Sequence, residues 1–150
     1  MSEFTGMTAL VTGASNGIGA AAAVKFAAGG AHVLVHYCRD RASAEAVLAQ
    51  ICAAGGSGDL VQGDLATAEG VYACLDLVKQ DGRAVDILIN NAGSLIQRTR
   101  LLDFTDELWQ QVFMLNCHSA FMITRALMPA MVERKRSEER RGGKECRYRW

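Results

Sequence analysis

The chain has 150 residues, half of them hydrophobic, which is enough for one domain with a substantial core. No apolar run reaches the roughly 18 residues of a membrane span, and no signal peptide is recognisable, so we expect a cytoplasmic protein without a membrane partner. The charges sum to zero, but residues 1–132 carry eight basic and twelve acidic side chains, whereas residues 133–150 carry eight and four. This shift indicates that the end of the chain differs in kind from the rest.

Five irregularly spaced cysteines, without a C-x-x-C pair, predict small buried thiols in a reducing compartment. We expect neither a disulfide nor a metal site. His36 and His118 have no partner at the spacing of metal ligands.

Short apolar runs alternate with helical periodicities along the first 130 residues. The predicted strands are 8–11, 32–37, 59–62 and 86–90, and the predicted helices are 17–28, 43–53, one around 71–78, and about 106–131. Thr105 is the expected cap of the last helix. The alternation with short links predicts an α/β fold, namely the N-terminal portion of a doubly wound (Rossmann) parallel sheet with the strand order 3-2-1-4.

Residues 12–19, with the sequence T-G-A-S-N-G-I-G, connect the first strand to the first helix. The free N–H groups and the dipole of a helix N-terminus favour an anion at this place. Gly13 fits the tight turn, and Gly17 and Gly19 remove side chains where a diphosphate and the strand must come close. The segment predicts a phosphate-binding turn, and the alternative is an ordinary glycine-rich connection.

Four motifs in this order resemble those of the short-chain dehydrogenase/reductase family. They are T-G-x-x-x-G-x-G at 12–19, Asp64-Leu65 after the third strand, N-N-A-G at 90–93, and Asn116 within M-L-N-C. The resemblance covers about residues 8–133 and is nearest in look to 3-oxoacyl-carrier-protein reductases, while H-Y-C-R at 36–39 also resembles pteridine reductases. It implies a dinucleotide-binding domain over residues 1–135. It also implies hydride transfer between a nicotinamide cofactor and a small carbonyl or alcohol substrate.

The resemblance also implies the site residues. Asn116 corresponds to the family's catalytic asparagine, in a helix irregularity whose backbone carbonyl holds a water of the proton relay. The implied cofactor-binding residues are Gly13, Ser15, Asn16, Gly17, Ile18, Gly19, Tyr37, Arg39, Asp64, Leu65, Asn90, Ala92 and Gly93. Asp64 has the alternative of a plain turn aspartate, Asn90 that of a tie between loops, and Asn116 that of a solvated amide.

The end of the second strand favours NADP(H) over NAD(H). An acidic residue there would bind the ribose 2′-hydroxyl of NAD, but this chain has His36, followed by Tyr37 and Arg39. A guanidinium can pair with a 2′-phosphate through a charge-assisted fork. Against this, Asp40 could occupy the Arg39 guanidinium, and Asn16 stands where NADP-preferring relatives often carry a base.

The acid/base group that this family uses is missing. Its chemistry needs a serine and a Tyr-x-x-x-Lys, but none of Tyr37, Tyr72 and Tyr148 has a lysine four residues on. Residues 136–150 instead resemble a translated sequencing adapter, so we interpret them as a non-native tail outside the fold. We therefore expect an inactive fragment of a homo-oligomeric parent enzyme, with one edge of its fourth strand left open.

Two other functions compete with this interpretation. One is a non-catalytic NAD(P)-binding regulatory protein. A pteridine-reductase-like enzyme would be a variant of the oxidoreductase described above, not a separate function. The other is a nucleic-acid-binding protein that uses the basic tail. Because Glu138, Glu139 and Glu145 are interspersed there and weaken a phosphate trap, we expect no nucleic-acid partner.

Overall fold

A parallel β-sheet with helices on both faces is formed by residues 3–134 and 138–139, which the computed structural model describes. The strands are β1 (Thr8–Val11), β2 (His32–Tyr37), β3 (Ser57–Gln62), β4 (Ile87–Ile89) and β5 (Glu138–Glu139). The helices are α1 (Gly17–Ala28), α2 (Arg41–Ala53), α3 (Ala68–Gln80), α4 (Asp106–Phe113) and α5 (Ser119–Glu133). The strand order is β3-β2-β1-β4-β5 with parallel pairing throughout, so the predicted order 3-2-1-4 is confirmed.

The sheet divides the core into two apolar layers. Successive side chains of a strand point to opposite faces, and both faces of β1 and β2 are buried because each is covered by helices. Val11 and Val35 pack against α1 and α2 in one layer, whereas Leu10 and Leu34 pack against α3 and α5 in the other. The near-continuous apolar runs in the sequence follow from this double coverage.

Side-chain caps set the beginnings of three helices. The Asp40 carboxylate accepts a hydrogen bond from the Ser43 N–H at 3.0 Å, so α2 begins at Arg41, two residues earlier than predicted. The Thr67 hydroxyl accepts from Gly70 in the same way and starts α3. Thr105 accepts from the Leu108 N–H at 3.2 Å, which confirms its predicted role.

The last helix is longer than predicted and is interrupted. α4 and α5 are joined by a π-helical turn at Met114–His118, and the helix continues to Glu133. A π turn leaves its carbonyls off the usual i→i−4 ladder. The Ser119 hydroxyl donates to the Leu115 carbonyl at 2.7 Å and satisfies one of them. No helix among the described residues is long and apolar enough to cross a bilayer.

The expectation of an open edge on the fourth strand is wrong over two residues. β5 pairs with β4, with Glu138 opposite Ile87 and Glu139 opposite Leu88. A free strand edge offers unpaired backbone groups to any nearby extended segment, which is a sufficient reason for this pairing. Residues 136, 137 and 140–150 lie outside the described residues, so the interpretation of the tail as non-native stays a prediction.

The prediction of buried thiols is only partly correct. Cys74 is buried on α3 and Cys38 is half-buried, but Cys52 and Cys117 are exposed. Cys52 lies on the outward side of α2, where helical periodicity gives no reason for burial. Cys146 lies outside the described residues.

Candidate nucleotide-binding cleft

The loops that follow β1 to β4 meet at the carboxyl edge of the sheet. Between them lies a cleft of about 640 Å³. In open α/β sheets, ligands bind at this edge because the strand ends and helix N-termini converge there. Among the predicted site residues, those that line the cleft are Gly13, Ser15, Asn16, Ile18, Arg39, Asp64, Leu65, Ala92 and Gly93.

The N-terminus of α1 opens into the cleft without a cap of its own. Its N-cap residue Asn16 makes no side-chain hydrogen bond, and no acidic residue lies in the first turn. The first N–H groups of a helix have no partner within the helix. In α2, α3 and α4 a side chain binds one of these groups, whereas in α1 they stay available to an anion.

Two glycines allow the turn after β1 to pack closely. Gly13 has φ +63, and a Cβ there would lie 2.9 Å from the Ala92 Cα. A Cβ on Gly19 would lie 2.5 Å from the Asn91 Nδ2. Any side chain at either position would therefore push the turn away from the loop after β4 and change the shape of the cleft.

The Thr12 hydroxyl ties this turn to the loop after β4. It accepts hydrogen bonds from the backbone N–H groups of Asn91, at 2.9 Å, and Ala92, at 3.0 Å, and donates to the Ile89 carbonyl at 3.2 Å. The Asn91 side-chain amide returns two bonds of 3.0 Å, to the carbonyls of Thr12 and Gly13. This network fixes the wall on which Ala92 and Gly93 lie.

The end of β2 points two neighbouring side chains into the protein. Tyr37 is 3% exposed and packs in the core, so its side chain is not part of the cleft lining. His36 is 2% exposed, and its Nδ1 accepts from the Gly13 N–H at 3.0 Å while its Nε2 donates to the Gly63 carbonyl at 3.1 Å. Burial lowers the pKa of His36 to about 4, although the bond to Gly63 opposes this shift.

Arg39 lies beyond β2 at the rim of the cleft and is exposed. Asp40 does not form an ion pair with the Arg39 guanidinium, because the Asp40 carboxylate caps α2. No ion pair within residues 3–134 engages the Arg39 guanidinium. The neighbouring thiol of Cys38 has a raised pKa, chiefly because of burial and also because of the Asp64 carboxylate, while Arg39 acts in the opposite direction.

Asp64 combines both of the roles weighed for it. One carboxylate oxygen accepts from the Ala66 N–H at 3.0 Å, and the Asp64 carbonyl accepts from the N–H and the hydroxyl of Thr67. These bonds make it a turn aspartate. The same side chain also lines the cleft beside Leu65, where it can face a ligand.

Neither Asn90 nor Asn116 lines the cleft. The Asn90 amide donates to the Thr124 hydroxyl at 3.1 Å, and its Oδ1 is buried without a hydrogen-bond partner among the described residues. Asn116 lies inside the π turn, where its amide donates to the carbonyls of Ser94, at 2.8 Å, and Val112, at 2.7 Å. The helix irregularity that the resemblance implied is present at Asn116.

Several lining residues were missed by sequence reasoning, notably His36, Cys38, Asn91, Ser94, Ile96 and Gln111. For His36 a signal existed, because a polar side chain in a strand buried on both faces needs hydrogen-bond partners. Ile96 has φ +60, an uncommon conformation for a β-branched residue. No residue in the neighbouring sequence predicts that conformation.

A second cluster of polar side chains lies at the opposite end of β2. His32, Asp59 and Asp81 bring their ligand atoms within 4.8 Å of one another. The Arg83 Nη1 already lies 3.1 Å from the His32 Nε2, 3.4 Å from Asp59 and 2.5 Å from Asp81. A guanidinium therefore supplies the positive charge that these groups attract.

The profile of the short chain dehydrogenase family matches residues 7–139. The 3-oxoacyl-[acyl-carrier-protein] reductase of Synechocystis sp. is 39% identical over 135 residues, which are 90% of this chain and 54% of that protein. A solved 3-oxoacyl (acyl-carrier-protein) reductase from Agrobacterium tumefaciens, with NADP bound, is 37% identical with a TM-score of 0.77. The match covers 88% of this chain and 50% of that one.

A solved NADH-dependent reductase, A1-R′, described as responsible for alginate metabolism, is 30% identical with a TM-score of 0.80. The match covers 90% of this chain and 56% of that one. The chain thus spans about half the length of the relatives that it matches. With the parallel sheet, the glycine-rich turn and a family profile matched from β1 to β5, this chain belongs to the short-chain dehydrogenase/reductase family.

Proposed function

We propose that this chain is the cofactor-binding half of an NADP(H)-preferring oxidoreductase that interconverts a small carbonyl compound and its alcohol. The observation that carries the proposal is one cleft shared by the uncapped N-terminus of α1 and the exposed guanidinium of Arg39, with which no carboxylate of the described residues pairs. A diphosphate fits the first group and a 2′-phosphate fits the second. The nicotinamide ring, when bound, supplies the hydride.

The proposed contacts follow the order of the cofactor. The turn residues are Gly13, Ser15, Asn16, Gly17, Ile18 and Gly19, and the free N–H groups at the start of α1 hold the diphosphate. The N–H of Gly13 is already bonded to His36, so Gly13 contributes the shape of the turn and not a donor. Asp64 and Leu65 face the adenine, while Ala92 and Gly93 form the wall beside the ribose. Asn90 supports that wall through its bond to Thr124. Arg39 takes the 2′-phosphate, and Tyr37 supports it from the core.

NADP(H) is favoured over NAD(H) by the charges at the end of β2. No carboxylate competes for the ribose there, because His36 is turned inward and Asp40 caps α2. The relative from Agrobacterium tumefaciens was solved with NADP, which supports the choice. The reductase A1-R′ is NADH-dependent, so family membership by itself does not select the cofactor.

Asn116 is the proposed catalytic residue of this half. Its side-chain bonds to Ser94 and Val112 stabilise the π turn against conversion to a regular α-helix. A backbone carbonyl of the turn is then left free of the helical ladder and can hold a water for proton transfer. The tyrosine that would donate the proton has no counterpart in the described residues, since Tyr37 is buried and Tyr72 is exposed on α3. We therefore propose that this chain binds cofactor but has no turnover.

Calorimetric titration with NADPH and NADH tests the binding. We expect NADPH to bind more tightly, and Arg39→Ala to weaken NADPH by roughly 10- to 100-fold while leaving NADH unchanged, since a charged hydrogen-bonded pair is lost. The matched control is Lys79→Ala, because Lys79 is exposed, pairs with Asp76 and does not line the cleft. Equal affinities in the wild type would contradict the NADP preference, and binding of neither cofactor would contradict the function.

A non-catalytic NAD(P)-binding regulator is the second candidate, because no tyrosine of the chain has a lysine four residues later. The gene sequence beyond the codon for Arg134 separates the two. A serine followed by Tyr-x-x-x-Lys there supports the enzyme, and its absence supports the regulator. The pteridine-reductase-like alternative, the non-native tail at 136–150 and the cytoplasmic location stay predictions.

A further inference from the structure

The imidazole of His36 joins two loops of the cleft through opposite ring nitrogens. Nδ1 lies 3.0 Å from the Gly13 nitrogen, and Nε2 lies 3.1 Å from the Gly63 oxygen. A backbone N–H only donates and a carbonyl only accepts. Nδ1 must therefore be the acceptor and Nε2 must carry the proton, so the two contacts together select one neutral tautomer.

Backbone bonds at the same place reinforce the connection. The Ala14 N–H donates to the His36 carbonyl at 2.8 Å, and the Gly63 N–H donates to the Tyr37 carbonyl at 3.1 Å. The end of β2 thereby holds two successive N–H groups of the turn after β1 and both backbone groups of Gly63. Gly13 belongs to the proposed diphosphate turn, and Gly63 directly precedes Asp64 on the proposed adenine side.

We propose that His36 is a positioning residue of the cleft, which sets the separation of the diphosphate turn from the adenine loop by bridging Gly13 and Gly63. The inference rests on the proposed nucleotide-binding function and deepens it. Gly13 and Gly63 engage both ring nitrogens of His36, so His36 acts on the nucleotide through the two loops. Its effect on affinity arises because both loops must hold their positions before the ligand arrives.

Burial keeps the bridge in its working form near neutral pH. The pKa of His36 is lowered to about 4, chiefly by burial, so Nδ1 keeps its lone pair for the Gly13 N–H. A protonated ring would turn an N–H toward that N–H and break the contact. The bond from Nε2 to Gly63 is compatible with either state.

Substitutions at position 36 separate the two ends of the bridge. In His36→Asn the side-chain oxygen can take the place of Nδ1 and accept from Gly13, but nothing reaches Gly63. In His36→Leu neither bond forms. The matched control is His32→Asn, because His32 lies on the same strand at the end remote from the cleft and bonds to Ser57.

The test measures NADPH affinity of the whole chain by calorimetry, with the folded fraction of each variant taken from denaturant unfolding. We expect His36→Leu to weaken NADPH at least about fivefold, His36→Asn to recover part of that loss, and His32→Asn to bind as the wild type. The second measurement is the nitrogen–nitrogen coupling across the hydrogen bond from Gly13 to His36 in the wild-type NMR spectrum. It reports the bridge even if His36→Leu does not fold.

The possible results separate a failure of the positioning role of His36 from a failure of the proposed nucleotide-binding function. If the wild type binds NADPH and folded His36→Leu binds equally well, the positioning role is overturned while the proposed function stands. Absence of the Gly13–His36 coupling also overturns the role. If the wild type binds neither NADPH nor NADH, the function fails and the inference fails with it.

Discussion

The side-chain amide of Asn116 donates a hydrogen bond to the backbone carbonyl of Ser94 at 2.8 Å, which ties the π turn between α4 and α5 to the loop after β4. The same amide also donates to the Val112 carbonyl, one helical turn back. Asparagine is a poor helix former because its side chain competes with the backbone for hydrogen bonds. In the π turn that competition is useful, since the turn leaves backbone carbonyls that need donors.

Asn116→Ala should therefore release the loop after β4. We expect the free energy of unfolding to fall by about 1 kcal/mol, and the backbone N–H of Ile96 to exchange faster with solvent. Hydrogen exchange followed by NMR measures the second effect. Gln110→Ala is the control, because Gln110 is exposed on the same helix. Unchanged exchange at Ile96 in Asn116→Ala would show that this bond does not hold the loop.

The Thr12 hydroxyl supports a second prediction, about stability. Thr12→Val keeps the shape of the side chain but leaves the N–H groups of Asn91 and Ala92 without their acceptor. Unsatisfied buried donors are costly, so we expect unfolding to require about 2 kcal/mol less. Thr12→Ser keeps the hydroxyl and should stay within about 1 kcal/mol of the wild type. Denaturant titration measures both, and a loss in Thr12→Ser as large as that in Thr12→Val would contradict the assignment of the stabilisation to the hydroxyl.

Much of the fold was readable from the sequence because the signals are local. The apolar runs of β1 and β2, the glycines after β1 and the cap at Thr105 each act over a few residues. The strand order followed from the handedness of the connections. The pairing of β5 with β4 could not be foreseen, because it joins segments about fifty residues apart and depends on which strand edge is free.

The candidate site was predicted less completely than the fold. Motif spacing located the turn after β1 and the loops after β3 and β4, and the resemblance located Asn116. The orientation of His36 and Tyr37 was not predicted, because a strand that is buried on both faces shows no alternation of polar and apolar residues. The loop at Ile96 was missed for a different reason, since its φ of +60 belongs to a tight turn between Leu95 and Gln97 that contains no glycine to signal it.

The buried imidazole of His36 makes stability depend on pH. Its pKa is about 4 in the folded chain against an ordinary value of 6.5, so between these values the unfolded chain binds a proton that the folded chain does not. The stability that comes from keeping this imidazole neutral and buried is fully present above pH 6.5 and is lost as the pH falls toward 4. Linkage gives a loss of about 3 kcal/mol across this window.

Denaturant unfolding at several pH values isolates this contribution as the difference between the wild type and His36→Asn. The variant lacks the titrating ring, so we expect its stability to fall less steeply between pH 6.5 and 4. His118→Asn is the control, because His118 is exposed on the π turn. Parallel curves for the wild type and His36→Asn would contradict the account of a neutral, buried ring.

An aromatic strip on the outer side of α4 and α5 predicts self-association. Trp109, Phe113 and Phe121 are 59%, 52% and 53% exposed, and the rings of Trp109 and Phe113 stack with centroids 6.2 Å apart. Exposed apolar patches of this kind mark protein interfaces or aggregation sites. The strip is consistent with the expectation, drawn from the sequence, of a homo-oligomeric parent, and it stays open even though β5 covers part of the sheet edge.

Phe113→Glu should therefore lower the average mass of the chain in sedimentation velocity over a concentration series. A buried carboxylate without a partner is strongly disfavoured, so two copies could no longer bring their strips together. Leu77→Glu is the matched control, since Leu77 is 39% exposed on α3, away from the strip. A wild type that stays monomeric at every concentration would contradict the prediction, and an equal effect of both substitutions would indicate that net charge and not the aromatic strip controls association.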